Sequence, residues 1–413
     1  MNIFRINIYL TVIIFLKSLL CTKKKLDQNI QSKIKKTSNK NYFVLTSRLR
    51  TGFYLLLQYL KINNSKKNEI LFQNYNLPGF VQIAYSLGFK LKFYNNAISS
   101  GEVLENDIKK KISNKTLCVV ASNILYSEKS LVFLKNLCKK KNIILIEDNA
   151  IYFDNYYLKN NRRVFSGSFG DYSLFSFNIM KNISAFYGGG VATNDLSFIK
   201  YANKNISIFK QFPNLLYLKQ IIIFFILKLF TFNFIHKNIY LSFLKSSFKR
   251  RRLWFLTLVY PSLNFTKGKL NGSYFSKIKY ISKKAILLQL KDIKERKFNF
   301  IKRKKNNELY YKLLKKIKNK NFTLLKISNF NFQNYLDFPI ITKDKDRLNK
   351  YLLDQGIETK YINYMDCEKI FLKKRKKDKY FTSNILCLPS HKKISSEHIR
   401  FVVAKIKKFY EKN

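Results

Sequence analysis

The chain has 413 residues, 46% of them hydrophobic, which is enough apolar material for a sizeable core in two domains and excludes a disordered chain. Its formal net charge is +55, a sign that favours acidic partners, yet Lys, Asn, Ile, Phe and Tyr are abundant together while Gly, Pro and Trp are scarce, as AT-rich coding also produces. The lysines run along the whole chain without a nucleic-acid-binding signature, so no nucleic acid partner is expected; five cysteines without a CxxC pair and only three histidines argue against a zinc site and a disulfide framework and fit a reducing cytoplasm.

The N-terminus, "MNIFRINIYLTVIIFLKSLLCTKKKL", carries an apolar run from Ile8 to Leu16 and then a basic patch. The run is shorter than the ~20 residues a membrane-spanning helix needs. It resembles a signal-peptide core without a small-residue cleavage site; a mis-assigned start and a surface-lying helix are the other readings. Residues 1–40 are taken as an apolar, basic extension of the fold.

From about residue 43 the pattern is α/β. "RTGFYLLLQYLKI" (50–62) reads as a buried helix, "NEILFQNYN" (68–76) as a strand and loop, and "GFVQIAYSLGF" (79–89) as a helix capped by Gly88. "KLKFY" (90–94) and "TLCVVAS" (116–122) read as strands, "SLVFLKNLCKKKN" (130–142) as an amphipathic helix, and "IILIED" (143–148) as a strand ending in two carboxylates. Strands alternating with helices predict a mixed, mostly parallel sheet covered on both faces, with ligands at the carboxyl ends of its strands. That places Glu147 and Asp148 at the expected site.

Residues 214–258 differ. An apolar run interrupted by Lys219 and Lys228 leads into "KSSFKRRRLWF", with Arg250, Arg251, Arg252 and Trp254. This suits a helix dipping into an anionic membrane surface through 214–254, or equally a buried or dimer-interface helix. A full span is disfavoured by its two lysines. Beyond it come Lys-rich helical sequence (284–318), the strands "FTLLKIS" and "YLDFPIIT", a helix closed by Gly356, and a C-terminal amphipathic helix. The expected division is a large α/β domain (41–265), including the 214–258 insertion, and a small α+β domain (266–413).

Chemistry concentrates in three segments: "LIEDNA" (145–150), "GSFGDYSLFSFNIMKN" (167–182) and "GGGVATND" (188–195). Each alone is a weak signal. Lys181 stands among Phe, Met and Ile, where a lysine is either one more surface charge or an amine that does chemistry.

Their order and spacing resemble the DegT/DnrJ/EryC1/StrS family, the pyridoxal 5'-phosphate (PLP)-dependent sugar aminotransferases of fold type I. In that family a strand ends in Glu-Asp-x-Ala, Gly-x-x-Gly-Asp leads to Ser-Phe-x-x-x-Lys-Asn, and a Gly-Gly-x-x-x-Thr turn follows. "RTGFYLLLQYLKI", "YLDFPIITKDKDRLNKYLLDQGIETKY" and "NILCLPSHKKISSEHIRFVVAKI" are similar to further family segments. The resemblance covers roughly 43–410, is poor over 196–280, and leaves the first 40 residues outside.

The resemblance implies roles. Lys181 would form the Schiff base with PLP and shuttle the proton, for which desolvation keeps its amine neutral. Asp148 would hold the pyridinium proton, and Ser176 the cofactor phosphate. Backbone amides near Arg50, Thr51 and Gly52, at a helix start, would add phosphate contacts. Tyr75 would stack on the ring, a position for which Leu77 competes. A homodimer with sites at its interface is implied, as is transfer of an amino group, usually from glutamate, to a nucleotide-linked keto sugar for surface polysaccharide. Alternatives are a PLP-dependent sugar dehydratase, in which the Lys is typically replaced by His, and a membrane-associated interaction protein that has lost catalysis.

The chain departs from the family at four places. Ile151 stands where the family has Gln or His, and Tyr187 where it has Glu. Arg48 and Leu49 replace the Ser-Gly of the phosphate loop, and the Gly-Tyr-Asn-x-Arg segment has no clear match near 270–285.

Overall fold

The computed structural model describes residues 2–5, 7–20, 25–249, 267, 270, 272–361, 364–373 and 384–411. Its centre is a seven-stranded sheet. In spatial order the strands are Tyr42–Thr46, Gly189–Thr193, Tyr172–Ser176, Ile144–Asp148, Thr116–Ser122, Glu69–Gln73 and Lys90–Tyr94. Gly189–Thr193 runs antiparallel to both neighbours, and every other pairing is parallel. Thr116–Ser122 and Glu69–Gln73 are buried along their whole length. Strands without an exposed face must be covered by helices on both sides.

Helix Leu49–Asn63 provides one cover, burying Phe53, Leu55, Leu56, Leu57 and Leu60. Its close approach to the sheet depends on glycine: a Cβ on Gly189 would lie 2.1 Å from the Leu49 nitrogen. The helix expected over 79–89 spans Pro78–Ser86, and Gly88 follows it at φ +77°, a conformation only glycine adopts without strain. The strands expected at 90–94, 116–122 and 143–148, and the helix at Glu128–Lys140, form within two residues of their expected bounds, whereas the strand expected at 322–328 stops at Leu324.

A second, antiparallel sheet joins Phe322–Leu324, Asp337–Thr342 and Ile385–Pro389. Helices Ile293–Leu314 and Ser396–Glu411 cover it, and one core cluster runs from Tyr94 and Val119 of the first sheet to Ile340 and Leu386 of the second. The division expected near 265 falls outside the described residues. The Lys-rich helical stretch is two helices, Tyr280–Lys291 and Ile293–Leu314, separated at Asp292.

The N-terminal segment is not an appendage. Ile3 pairs with Ile357 through Ile3 N–H to Gly356 O (2.9 Å) and Glu358 N–H to Ile3 O (2.9 Å). Helices Val12–Leu20 and Leu26–Ser38 follow. Leu26, Ile30 and Ile34 recur every four residues on one face and are buried in the cluster that holds Phe43, Phe177 and Leu287. That stripe was readable, but the surrounding lysines mask it. Buried Glu358 locks the segment: it accepts from Arg5 N–H (3.0 Å) and Tyr240 OH (2.7 Å) and pairs with the Arg5 guanidinium (3.4 Å).

The apolar stretch forms helix Asn214–Leu229, which bends by 89° into a second helical run, Asn233–Lys249, containing a π-turn at His236–Tyr240. Among the described residues no single helix is long and apolar enough to cross a membrane. Arg250, Arg251, Arg252 and Trp254 lie outside the described residues.

Candidate active site

The parallel strands all deliver their carboxyl ends to one edge of the sheet, and the motif residues meet there. Glu147 and Asp148 are neighbours on one strand, so their side chains leave it in opposite directions. Glu147 is fully buried and accepts three backbone N–H groups, from Gly167 (2.6 Å), Phe169 (2.9 Å) and Gly170 (3.2 Å). It shapes the loop that leads into Tyr172–Ser176. Burial pushes its carboxyl above the usual range, against the pull of those three donors.

Asp148 faces the open edge. Its carboxylate takes the Ala150 N–H (3.1 Å) and the Ser122 hydroxyl, and Ser122 in turn takes Asn76 Nδ2–H (2.9 Å). Ser122 is opposite Asp148 in the strand register. Burial raises the Asp148 carboxyl, with the Ala150 amide and the charge of Lys181 opposing.

Lys181 lies on a loop, 177–188, whose ends are tied by Phe177 N–H to Gly188 O (2.9 Å) and Ala185 N–H to Phe177 O (2.7 Å). Asn182 anchors its middle, donating to Phe153 O (2.9 Å) and accepting from Arg303 Nη1 (2.7 Å). The Lys181 backbone is held by Asn178 O (3.0 Å) and by the Ser184 hydroxyl (2.5 Å). Its amine, by contrast, has no hydrogen bond or ion pair among the described residues. Burial, then the charge of Lys360, bring its pKa from 10.5 down to about 8, with Asp148 pulling the other way. An amine so placed is neutral far more often than a surface lysine's.

The other predicted residues divide. Ser176 ends its strand half-buried beside Gly189, its hydroxyl without a partner among the described residues. Thr51 and Gly52 sit in the first turn of helix Leu49–Asn63, but both amides donate to Arg48 O (3.1 and 3.3 Å), and the Thr51 hydroxyl is shared with Ser47 (3.1 Å). Anion capture at this helix start therefore falls to its dipole and side chains rather than to those two amides. Tyr75 is 1% exposed, in the core, with its ring edge-on to Tyr364 at 5.4 Å. It has no free face for a ligand ring, because the Tyr75–Asn76 pairing with Met365–Asp366 turns it inward. Leu77, next to it, is the half-buried side chain.

Several site residues were missed. Ser122 had a signal, as the last residue of a strand next to the one ending in Asp148. Lys360 had none: it comes from the second sheet's side, held by Asp337 at 3.5 Å. Arg50 donates to Tyr274 OH (2.9 Å) and lies against Gly79. Of the departures, Ile151 packs against the core, and Tyr187 packs on Phe212 (4.4 Å) with the Arg48 guanidinium against both rings (4.5 Å from Tyr187, 5.6 Å from Phe212).

A model of the DegT/DnrJ/EryC1/StrS aminotransferase family matches residues 10–210 and 268–407. The chain belongs to that family. The match starts at residue 10, so most of the N-terminal segment lies inside the family pattern, in agreement with its packing. Within the family, the chain is 24% identical over 189 residues to a GDP-perosamine synthase of Escherichia coli O157:H7, over 45% of this chain and 50% of that protein. The alignment thus spans half the length of that curated relative. Among solved structures, Helicobacter pylori PseC, an aminotransferase involved in pseudoaminic acid biosynthesis, matches over 100% of both chains at TM-score 0.71 and 17% identity. A GDP-4-keto-6-deoxymannose-3-dehydratase holding a trapped PLP-glutamate geminal diamine matches over 98% of this chain and 100% of its own at TM-score 0.68 and 17% identity. These likenesses establish the fold, that of the fold-type-I sugar aminotransferases.

Proposed function

We propose that this family member is a PLP-dependent aminotransferase that moves an amino group, with glutamate as donor, to a nucleotide-linked keto sugar for surface-polysaccharide synthesis. The observation that carries this reading is the unpaired, desolvated amine of Lys181 beside a carboxylate, Asp148, at the carboxyl ends of adjacent strands. The donor set suits PLP: an amine for its aldehyde, a carboxylate for its ring nitrogen, and a free Ser176 hydroxyl and a helix start for its phosphate. A site with Lys181, Arg50 and Lys360 against Asp148 and Asp337 has the cationic surplus that a phosphate dianion requires.

When bound, PLP supplies the electron sink for labilising the bond to the substrate's α-hydrogen. The chain's own residues do the rest. Asp148, oriented by Ser122 and through it by Asn76, would hold the ring nitrogen with a carboxylate. Lys181, whose amine loses its proton at about pH 8 rather than 10.5, would take the proton from the donor's α-carbon and hold it for return. Glu147 keeps the 166–170 loop closed beneath them. Retention of Lys181 supports transamination over dehydration.

In this reading the protein works as a homodimer in the cytoplasm, which suits its four described cysteines, all buried free thiols. We place the division between its two domains at Asp292, where the helix over the N-terminal segment gives way to the helix over the second sheet. The test is spectroscopic. Purified protein with PLP should show a cofactor band that borohydride traps on the peptide containing Lys181, and glutamate should shift that band. Trapping elsewhere, or no response to glutamate, overturns the assignment.

A further inference from the structure

The helix Asn214–Leu229 is apolar on both faces. Its inner face buries Tyr217, Phe224 and Leu227. Its outer face presents Leu215, Leu218, Ile222, Phe225 and Leu229, spaced three and four apart, with Leu215 78% exposed. A surface helix of a self-contained domain carries polar residues there. The bend that follows exposes Phe232, Phe234 (74%) and Ile239.

This layer does not end with one helix. Phe15 of helix Val12–Leu20 packs on Phe224 (6.1 Å) and Phe225 (5.9 Å), so the two helices touch. That helix buries Phe15 and Ser18 and exposes Val12, Ile13, Leu16, Leu19 and Leu20, the last at 84%. Lys228, which would interrupt the apolar face, turns inward: its ammonium donates to Ile8 O (3.1 Å) and lies over the Phe224 ring. Two elements distant in sequence thus share an apolar patch.

The segments that form the patch carry charge of one sign. No Asp or Glu occurs between Asp195 and Asp292, nor before Asp27. Within those stretches Lys17, Lys219, Lys237 and Lys249 are exposed. A second copy docked on this face by a twofold axis would set the exposed lysines of these segments against their own counterparts, while the carboxylates at the margin, Asp27 and Asp354, are already paired with Lys283 and Lys245. An anionic bilayer answers both features, taking the apolar side chains into its interface and the lysines at its headgroups.

We propose that helices Val12–Leu20 and Asn214–Leu229, with the bend at Phe232–Ile239, form a monotopic docking surface for an anionic phospholipid bilayer. The protein lies on the membrane through this surface and does not cross it. The inference is independent of the catalytic reading.

The experiment is co-sedimentation of the full chain with phosphatidylcholine vesicles, with and without phosphatidylglycerol. The protein is expected to pellet with the mixed vesicles, and a bound fraction should survive high salt, because apolar insertion is not screened. The triple variant Leu215→Ser, Leu218→Ser, Leu229→Ser, made at exposed positions, should bind at least about tenfold less while taking up PLP as before. Hydrogen exchange on the unaltered protein provides a second check: vesicles should protect residues 12–20 and 214–239. The proposal fails if the chain stays in the supernatant, if salt releases all of it, or if vesicles protect neither helix. It also fails if the variant binds as well as the parent, or if light scattering shows the variant falling from dimer to monomer, which would make the patch a subunit interface.

Discussion

The carboxyl edge of the central sheet and the outer helical layer of residues 12–20 and 214–249 treat charge in opposite ways. At the sheet edge, burial works on a few ionisable groups, and each is answered: Asp148 by Ser122 and the Ala150 amide, Glu147 by three backbone N–H groups. The Lys181 amine is the exception, with no hydrogen bond or ion pair among the described residues. In the outer layer Lys17, Lys219, Lys237 and Lys249 stand in solvent, and it is the outward apolar side chains that are left exposed beside them. An unpaired group inside a polar site points to a small ligand, whereas an unpaired apolar face points to a surface.

That contrast can be broken or sharpened by substitution, taken here from the largest effect down. Lys181→Ala should slow the glutamate half-reaction by roughly 10²–10⁴-fold, the usual worth of a positioned acid–base group, while vesicle binding is unchanged. Stopped-flow absorbance and co-sedimentation read the two separately; a near-normal rate would remove Lys181 from the chemistry. Glu358→Gln breaks a buried pair and should cost about 3 kcal/mol of stability in denaturant titrations. The Glu358 carboxyl, though opposed by its burial, is held below its ordinary 4.5 by His236, Arg5 and Tyr240. The stability it adds is therefore complete above that value and lost as pH falls through the folded pKa. Acid should release the N-terminal segment to protease, and Glu358→Gln should show no such acid-dependent step.

Ser176→Ala should weaken PLP binding about tenfold, one hydrogen bond to a charged group, as measured by cofactor titration. The smallest effect is a pH shift in the cofactor-free protein. With its pKa near 8, Lys181 binds fewer protons than in the unfolded chain between about pH 8 and 10.5. Its charge opposes folding in full below pH 8, and that penalty fades as pH rises to 10.5. Lys181→Met should therefore be slightly more stable than the parent at neutral pH and should lose that advantage in alkali. A less stable variant would mean that the amine has a partner in solution.

Lys181, Asp148 and Ser176 were legible because their motifs are local: the residue types needed for the chemistry sit within a few positions of a strand end. Ser122 was legible only as a strand end, because the pairing of Thr116–Ser122 with Ile144–Asp148 is what brings it to Asp148, and Asn76 was not, because it reaches Ser122 from another segment. Tyr75 reads as a stacking group from the sequence because it is an aromatic ring in a loop beside the site, and only the fold shows it 1% exposed against Tyr364. A two-residue strand pairing turns it into the core instead.

The alternation of apolar strands with helices, the carboxylate pair and the lysine string were determined by the sequence itself, since periodicity and short-range spacing are properties of the chain. Tertiary structure decided the rest. It folded the first 40 residues into the molecule, because Ile3 finds Ile357 and Arg5 finds Glu358 more than 350 positions away. It brought Lys360 near Lys181 and laid helix Val12–Leu20 against Asn214–Leu229. Burial, and with it the protonation of an amine or the exposure of a leucine, depends on which distant segments arrive beside it.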